Sequence, residues 1–240
     1  MLAIESRGGV CTLTLARPAL GNALDETLVD ALSTAVEQAS ADDAIHTLVV
    51  RGEGRHFCTG FDLSDLATQS DGDLLRRFVR IELLLAALWH APLRTVAWAS
   101  GRAWGAGADL FACCDVRVAE ADTTFTFPGA RFGLVLGTRR LAARMGESRA
   151  QSCVTTGETL HAEAAHSAGL VTCVVSADFE TWLGDGLPPL ATDRATTAAI
   201  KQVLRADERD ADLAALVRSA TRAGLKDRIN AYRAAQTRKS

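Results

Sequence analysis

The chain has 240 residues, 48% of them hydrophobic, and a formal net charge of −3. That length fits one large domain, or a domain with a helical appendage, and the apolar share is enough for a sizeable core. The charge balance argues against a nucleic-acid or anionic-membrane partner, and no uncharged apolar stretch reaches the roughly 18 residues that a membrane span needs.

Residues 1–9 read MLAIESRGG, with no basic leader before an apolar run, so a cytoplasmic location is expected. The first sixteen residues alternate in polarity around Arg7-Gly8-Gly9, which predicts a hairpin with a glycine turn. Arg17-Pro18 stops its second strand. Asn22 is then placed to cap a helix whose buried face carries Leu24, Leu28, Ala31, Leu32, Ala35, Val36 and Ala39. Residues 47–51, TLVVR, form a short β-branched strand, followed by the polar loop GEGRHFCTGFDL. A long amphipathic helix is predicted over 73–89, ended by Pro92. The strand 95–99 runs into SGRAWGAGADLFACCD at 100–115.

Two further strands are predicted at 115–119 and 124–127, then helices near 139–145, 147–155 and 161–168, the last closed by Gly169. A strand follows at 171–175, and from Asp193 onward the pattern is helical. Strands alternating with helices, then a helical tail, predict an α/β fold with a core over 1–190 and a helical segment over 191–240. The tail is richer in Arg and Lys than in acids, which reads as a solvated helical face.

The six cysteines (Cys11, Cys58, Cys113, Cys114, Cys153 and Cys173) contain no CxxC pair, and His161 and His166 fall on different helix faces. Neither a metal site nor a disulfide framework is expected, and the thiols read as buried groups in a reducing compartment.

Chemistry concentrates in GRAWGAGADL, residues 101–110, which follows a strand and opens a helix. A dinucleotide fingerprint would need a third glycine where Leu110 stands, and the GxSxG of a nucleophile elbow is absent. Gly and Ala here let another molecule approach the backbone, and the first amides of a helix lack intrahelical partners. Such a turn can bind an anion or a developing oxyanion. A second turn of this kind, FCTGFDL at 57–63, follows the strand at 47–51. By turn chemistry alone, both are equally readable as tight packing turns.

Four segments taken together resemble the crotonase superfamily, the enoyl-CoA hydratase/isomerases. They are ARPALGNAL (16–24), FCTGFDLSDL (57–66), the stretch from APLRTVAWASGRAWGAGADL to FTFPGARFGL (91–134), and GETLHAEAAHSAGLVTCVV (157–175). The resemblance implies a spiral of ββα turns with a helical C-terminal region, a homotrimer or dimer of trimers, and acyl-CoA thioester substrates of the kind met in fatty acid metabolism. It implies backbone N–H groups of Phe61 and Ala106 as an oxyanion hole, and Asp109 as a catalytic acid/base. Thr59, Gly60, Asp62, Leu63, Gly105, Gly107, Pro128 and Gly129 would flank the substrate. No metal or organic cofactor is implied, coenzyme A being the carrier part of the substrate.

The sequence departs from that pattern where hydration chemistry is most demanding. Gly129 follows Pro128 where hydratases place their second glutamate, and Asp109 stands for their first, shorter by about one C–C bond, ~1.5 Å. Phe61 stands where a small residue is usual. No basic residue directly precedes Asn22, so Arg17 or a C-terminal Arg or Lys is left to meet the coenzyme A phosphates. Asp62, Asp65 and Glu82 are further acids within possible reach, Asp62 reading better as a stabiliser of its own loop. Phe61, Trp104, Phe132 and Leu134 are candidate walls of the acyl pocket. Three readings stand: an enzyme with one protein carboxylate and the oxyanion hole, such as an isomerase or decarboxylase; a synthase-like enzyme whose missing acid comes from the substrate or a bound anion; or a CoA-ester-binding protein with little catalysis.

Overall fold

The computed structural model describes residues 1–237. In chain order its elements are β1 (Leu2–Arg7), β2 (Val10–Leu15), α1 (Glu26–Ala41), β3 (Thr47–Gly52), α2 (Asp71–His90), β4 (Arg94–Ala99), β5 (Arg102–Trp104) and α3 (Ala106–Cys113). Then come β6 (Val116–Glu120), β7 (Thr124–Thr126), α4 (Thr138–Met145), α5 (Glu147–Thr156), β8 (Leu160–His161), α6 (Ala162–Ser167) and β9 (Cys173–Val175). The chain ends in α7 (Phe179–Thr181), α8 (Arg194–Leu204), α9 (Arg209–Ala220) and α10 (Leu225–Thr237).

Two sheets organise these elements. The larger has the order β1-β2-β3-β4-β6-β9 and is parallel except for the β1–β2 hairpin. The smaller has the order β5-β7-β8. Leu48 and Val50 of β3 join the main core, while Val49 packs on the other face with Val96, Trp98, Val118, Phe179 and Trp182. Burial of both faces is what parallel sheets require, and it explains the near-continuous apolar runs of β3 and β4. Phe179 and Trp182 lie in a segment whose helical form the sequence pattern did not predict.

The chain repeats one manoeuvre. It runs a strand through the larger sheet, turns a corner, lays a short extended piece in the second layer, and leaves as a helix. Cys58 is bridged to Ala103, Ala103 is in register with Phe125, and Phe125 faces Leu160, so successive turns of the chain stack in the second layer. This is the ββα spiral expected from the crotonase resemblance. Its consequence for function is local: the corner segments at 58–61, 102–105 and 124–129 are brought side by side.

One local expectation is corrected. Asn22 does not cap α1. Asp25 does, its carboxylate accepting from the Leu28 N–H at 2.8 Å. Asn22 is fully buried with φ of 55°, accepts from Arg17 N, and donates to the carbonyls of Glu53 at 2.9 Å and His56 at 2.7 Å. Asn tolerates this left-handed conformation, and its amide ties two loops that flank the site. The helix α2 also begins earlier than predicted, with a reciprocal capping box between Ser70 and Asp73. All six cysteines are free thiols, five of them buried. No helix among the described residues is long and apolar enough to cross a membrane.

Candidate active site

Stacking of the spiral presses the turn at residue 60 onto the turn at residues 104–106. Cys58 donates to the Arg102 carbonyl at 3.1 Å and accepts from Trp104 N at 2.9 Å. Gly60 has φ of +96°, and a Cβ there would lie 2.6 Å from the Trp104 carbonyl oxygen and 3.4 Å from the Ala106 nitrogen. Only glycine lets the two amide-bearing turns touch in this way. Gly105, with φ of +53°, is tied to the third segment by its N–H on the Thr126 carbonyl at 2.8 Å. Asn22 is the only non-glycine residue with positive φ among those described, so Ala106 opens α3 without backbone strain.

The amides around these turns are mostly engaged. Gly60 N–H points to Cys58 Sγ, and Asp62 N–H is bonded to the Leu24 carbonyl. No bond from Phe61 N–H or Ala106 N–H to a protein acceptor is found among the described residues. Both residues line one cavity of about 140 Å³. At Ala106 the free amide is a first-turn donor at the positive end of α3.

Thr59, Gly60, Leu63, Gly105, Pro128 and Gly129 also line this cavity, as do Trp104, Phe132 and Leu134. The sequence reading missed its far side, where Phe78 comes from α2, Leu136 from the loop before α4, Thr138 from the start of α4, and Ile229 and Tyr232 from α10. Two flanking candidates are not on its wall. Gly107 packs against the neighbouring turn, where a Cβ would lie 2.3 Å from the Cys58 carbonyl oxygen. Asp62 turns back to Arg17 at 2.9 Å and accepts from Ser64 N at 2.9 Å. Burial alone would raise the Asp62 pKa, but these hydrogen bonds and the Arg17 charge hold it below the usual range. Arg17 also bonds Asp25 and the Ala23 carbonyl. It is thus committed to the loop rather than left open to a phosphate.

Asp109 is the only carboxylate among the cavity-lining residues. It sits in the first turn of α3 and is 6% exposed. Its pKa lies well above the ordinary carboxylate value, chiefly because burial penalises the charged form. Arg140 opposes that rise and Glu82 adds to it. Those two form a buried ion pair between α2 and α4, with Arg140 Nη1 on Glu82 Oε2 at 3.1 Å and a second contact from Nη2. Glu82, a candidate pocket acid by sequence, is therefore held by Arg140. The visible signal for this pair was a lone acid inside the apolar run 81–89; its partner, 58 residues later, carried none.

The site's chemical vocabulary is small: two main-chain donors, one acid whose proton is held more tightly than usual, the hydroxyls of Thr59, Thr138 and Tyr232, and otherwise largely apolar walls. It offers an oxyanion a seat and a reacting carbon one proton carrier.

Comparison with known proteins gives the family. The enoyl-CoA hydratase/isomerase family profile matches residues 5–222. The chain is 35% identical over 216 residues to probable enoyl-CoA hydratase echA6 of Mycobacterium leprae, covering 86% of this chain and 83% of that one. It is 34% identical over 180 residues to the 2,3-dehydroadipyl-CoA hydratase of Escherichia coli, covering 74% of this chain and 70% of that one. A solved structure of a Bordetella parapertussis protein described as an enoyl-CoA hydratase/isomerase superposes with a TM-score of 0.92 at 44% identity, over 96% of this chain and 97% of the other. The chain belongs to the enoyl-CoA hydratase/isomerase family.

Proposed function

We propose that the chain is an enzyme that forms and redirects an enolate of an acyl-CoA thioester, with Asp109 as its single protein acid/base. The observation that carries this reading is the meeting, on one cavity, of two main-chain N–H groups without protein acceptors and one buried carboxyl.

The thioester oxygen accepts from Phe61 N–H and Ala106 N–H. When the α-proton leaves to Asp109, electron density moves onto that oxygen and the two fixed donors stabilise it. Losing one such donor typically costs about 10²–10³ in rate. The raised pKa of Asp109 brings its proton affinity nearer to neutral pH, where a group that must both take and give a proton works best. With Gly129 contributing no acid, the reaction best matched to the site moves one proton: the α-proton of a 3-enoyl ester goes to Asp109 and returns at the γ-carbon, giving the 2-enoyl ester. Addition of water is served in hydratases by a second carboxyl that orients the nucleophile, and no carboxyl besides that of Asp109 lines the cavity.

The test is a panel of 2-enoyl-, 3-enoyl-, β-keto- and malonyl-type CoA esters, with α-proton exchange followed by NMR in D₂O. Turnover of a 3-enoyl ester, or α-exchange, should fall at least tenfold in Asp109→Asn, general acid–base terms being worth about 10²–10⁴. Tight ester binding without turnover or exchange would mark a binding protein instead. Full activity in Asp109→Asn would make Asp109 structural.

A further inference from the structure

We infer that the distal end of the acyl cavity is built for a substrate whose acyl group ends in a carboxylate. This rests on the acyl-CoA reading above and adds the class of acyl group.

The observation is a groove of about 560 Å³ that shares Ala130, Phe132 and Tyr232 as walls with the apolar cavity. Three arginines line it, Arg131, Arg222 and Arg228, and no aspartate or glutamate does. None of the three makes an ion pair among the described residues. Arg228 is half-buried, and Arg131 and Arg222 are exposed on the groove's rim.

Each guanidinium is nonetheless placed. Arg228 donates to the carbonyls of Phe132 at 2.8 Å and Ala223 at 2.9 Å, which fixes its charge at the end of α9. Arg222 lies over Gly133, where a Cβ would be 3.2 Å from its Nη1, and no hydrogen bond from its side chain is found among the described residues. Arg131 reaches the Gly157 carbonyl at 3.3 Å and lies close enough to Tyr232 for its charge to act on the phenol. The charge of Arg228 acts on Asp71, whose oxygens are taken by Leu225 N and Lys226 N. Gathering three cations without a counter-charge is unfavourable by itself, and an arriving oxyanion relieves it through charge-assisted, bidentate bonds.

An oxyanion could come from the acyl terminus or from the coenzyme A phosphates. The walls between cavity and groove favour the first. Phe132, Leu134 and Ile229 suit a methylene chain and offer no partner to the amides of a pantetheine arm. Phe132 and Tyr232 stand between the two spaces with ring centroids 5.5 Å apart, and the third shared wall, Ala130, carries only a methyl group.

The test uses saturated CoA esters in matched pairs of equal chain length, one ending in methyl and the other in carboxylate, with binding read by calorimetry. At the matching length the carboxylate ester should bind roughly tenfold or more tightly. Arg222→Gln should erase most of that ratio and Arg222→Glu should invert it; Arg131→Gln is the second variant should either fold poorly. The ratio is insensitive to the folded fraction. No preference in the parent protein, or equal loss for both esters in the variants, which would put the arginines on the phosphates, overturns the inference. Failure of every ester to bind would instead overturn the acyl-CoA reading.

Discussion

Asp109 and Gly137 press directly on one another. A Cβ on Gly137 would lie 2.2 Å from Asp109 Oδ1 and 2.6 Å from its Cγ, and Gly137 holds φ of +67° just before α4. The backbone at 137 is therefore part of the lid that keeps water from the carboxyl. Gly137→Ala must displace the carboxylate and strain the backbone together. Left-handed φ costs a residue with a Cβ about 1–2 kcal/mol. A shift near 1 Å at a catalytic group typically costs about 10²-fold in rate. The expected result is a comparable fall in turnover with ester affinity largely kept, read by kcat and calorimetric Kd in parallel. Turnover within threefold of the parent would mean the carboxyl need not sit where it does.

Burial of Asp109 also predicts a pH dependence of stability. Its folded pKa is raised, so between the unfolded value of about 3.9 and the folded value the native state binds more protons than the unfolded one. Stability then falls as pH rises through that window. Below it the burial penalty is absent, and above it the penalty is complete. Asp109→Asn removes the charge, so its melting temperature should match the parent near pH 4 and exceed it increasingly toward neutral pH. Scanning calorimetry across that range checks this; a gap that is constant with pH would contradict it.

The Glu82–Arg140 pair sits behind the same carboxyl, 2% and 3% exposed, with Arg140 Nε lacking any partner. Glu82→Gln leaves the buried guanidinium with only the longer 3.7 Å contact to Asp212, and breaking a buried pair costs about 3–5 kcal/mol. Replacing both, as Glu82→Leu with Arg140→Met, should recover much of that loss in denaturant unfolding. Glu82→Gln also removes the charge that raises the Asp109 pKa while Arg140 still lowers it, so the acid limb of the activity profile should move to lower pH. No recovery in the double variant would show that the pair has a stabilising role beyond mutual neutralisation.

What could be read from the sequence follows the range of the interactions. The turns at 57–63 and 101–110 were legible because glycine spacing and helix-start amides are local features, and the structure sets them against each other as Gly60 sets against Trp104 and Ala106. The four aromatic and aliphatic wall candidates lay beside those turns and the Pro128 segment, so they too were found. Ile229 and Tyr232 were not, because only the packing of α10 across the spiral brings them to residues a hundred positions earlier. Asn22 was misread for a different reason. An asparagine before an apolar periodic run suits a helix cap and a left-handed turn equally, and the deciding partners, Glu53 and His56, are tertiary. Arg222 and Arg228 read as part of a solvated tail because the groove that joins them to Arg131 does not exist in the linear chain.

Position 129 offers the most direct test of why one acid is present rather than two. A Cβ on Gly129 would meet the Leu134 carbonyl oxygen at 3.5 Å and Leu134 Cβ at 3.9 Å, both ordinary contacts, and its φ is not in the left-handed region. A side chain is therefore sterically admissible there, in the cavity that Asp109 also lines. Gly129→Glu supplies a second carboxyl to hold a water for attack at the β-carbon while Asp109 manages the α-proton. Hydration of a 2-enoyl-CoA should rise at least tenfold, a modest share of the about 10²–10⁴ that general acid–base groups contribute. The gain should vanish in the Gly129→Glu, Asp109→Asn double variant, because the added group works only with its partner. The measurement is the loss of enoyl thioester absorbance. A Gly129→Glu protein that folds, binds the ester and gains nothing would place the reacting β-carbon away from this wall, and with it the role given to residue 129.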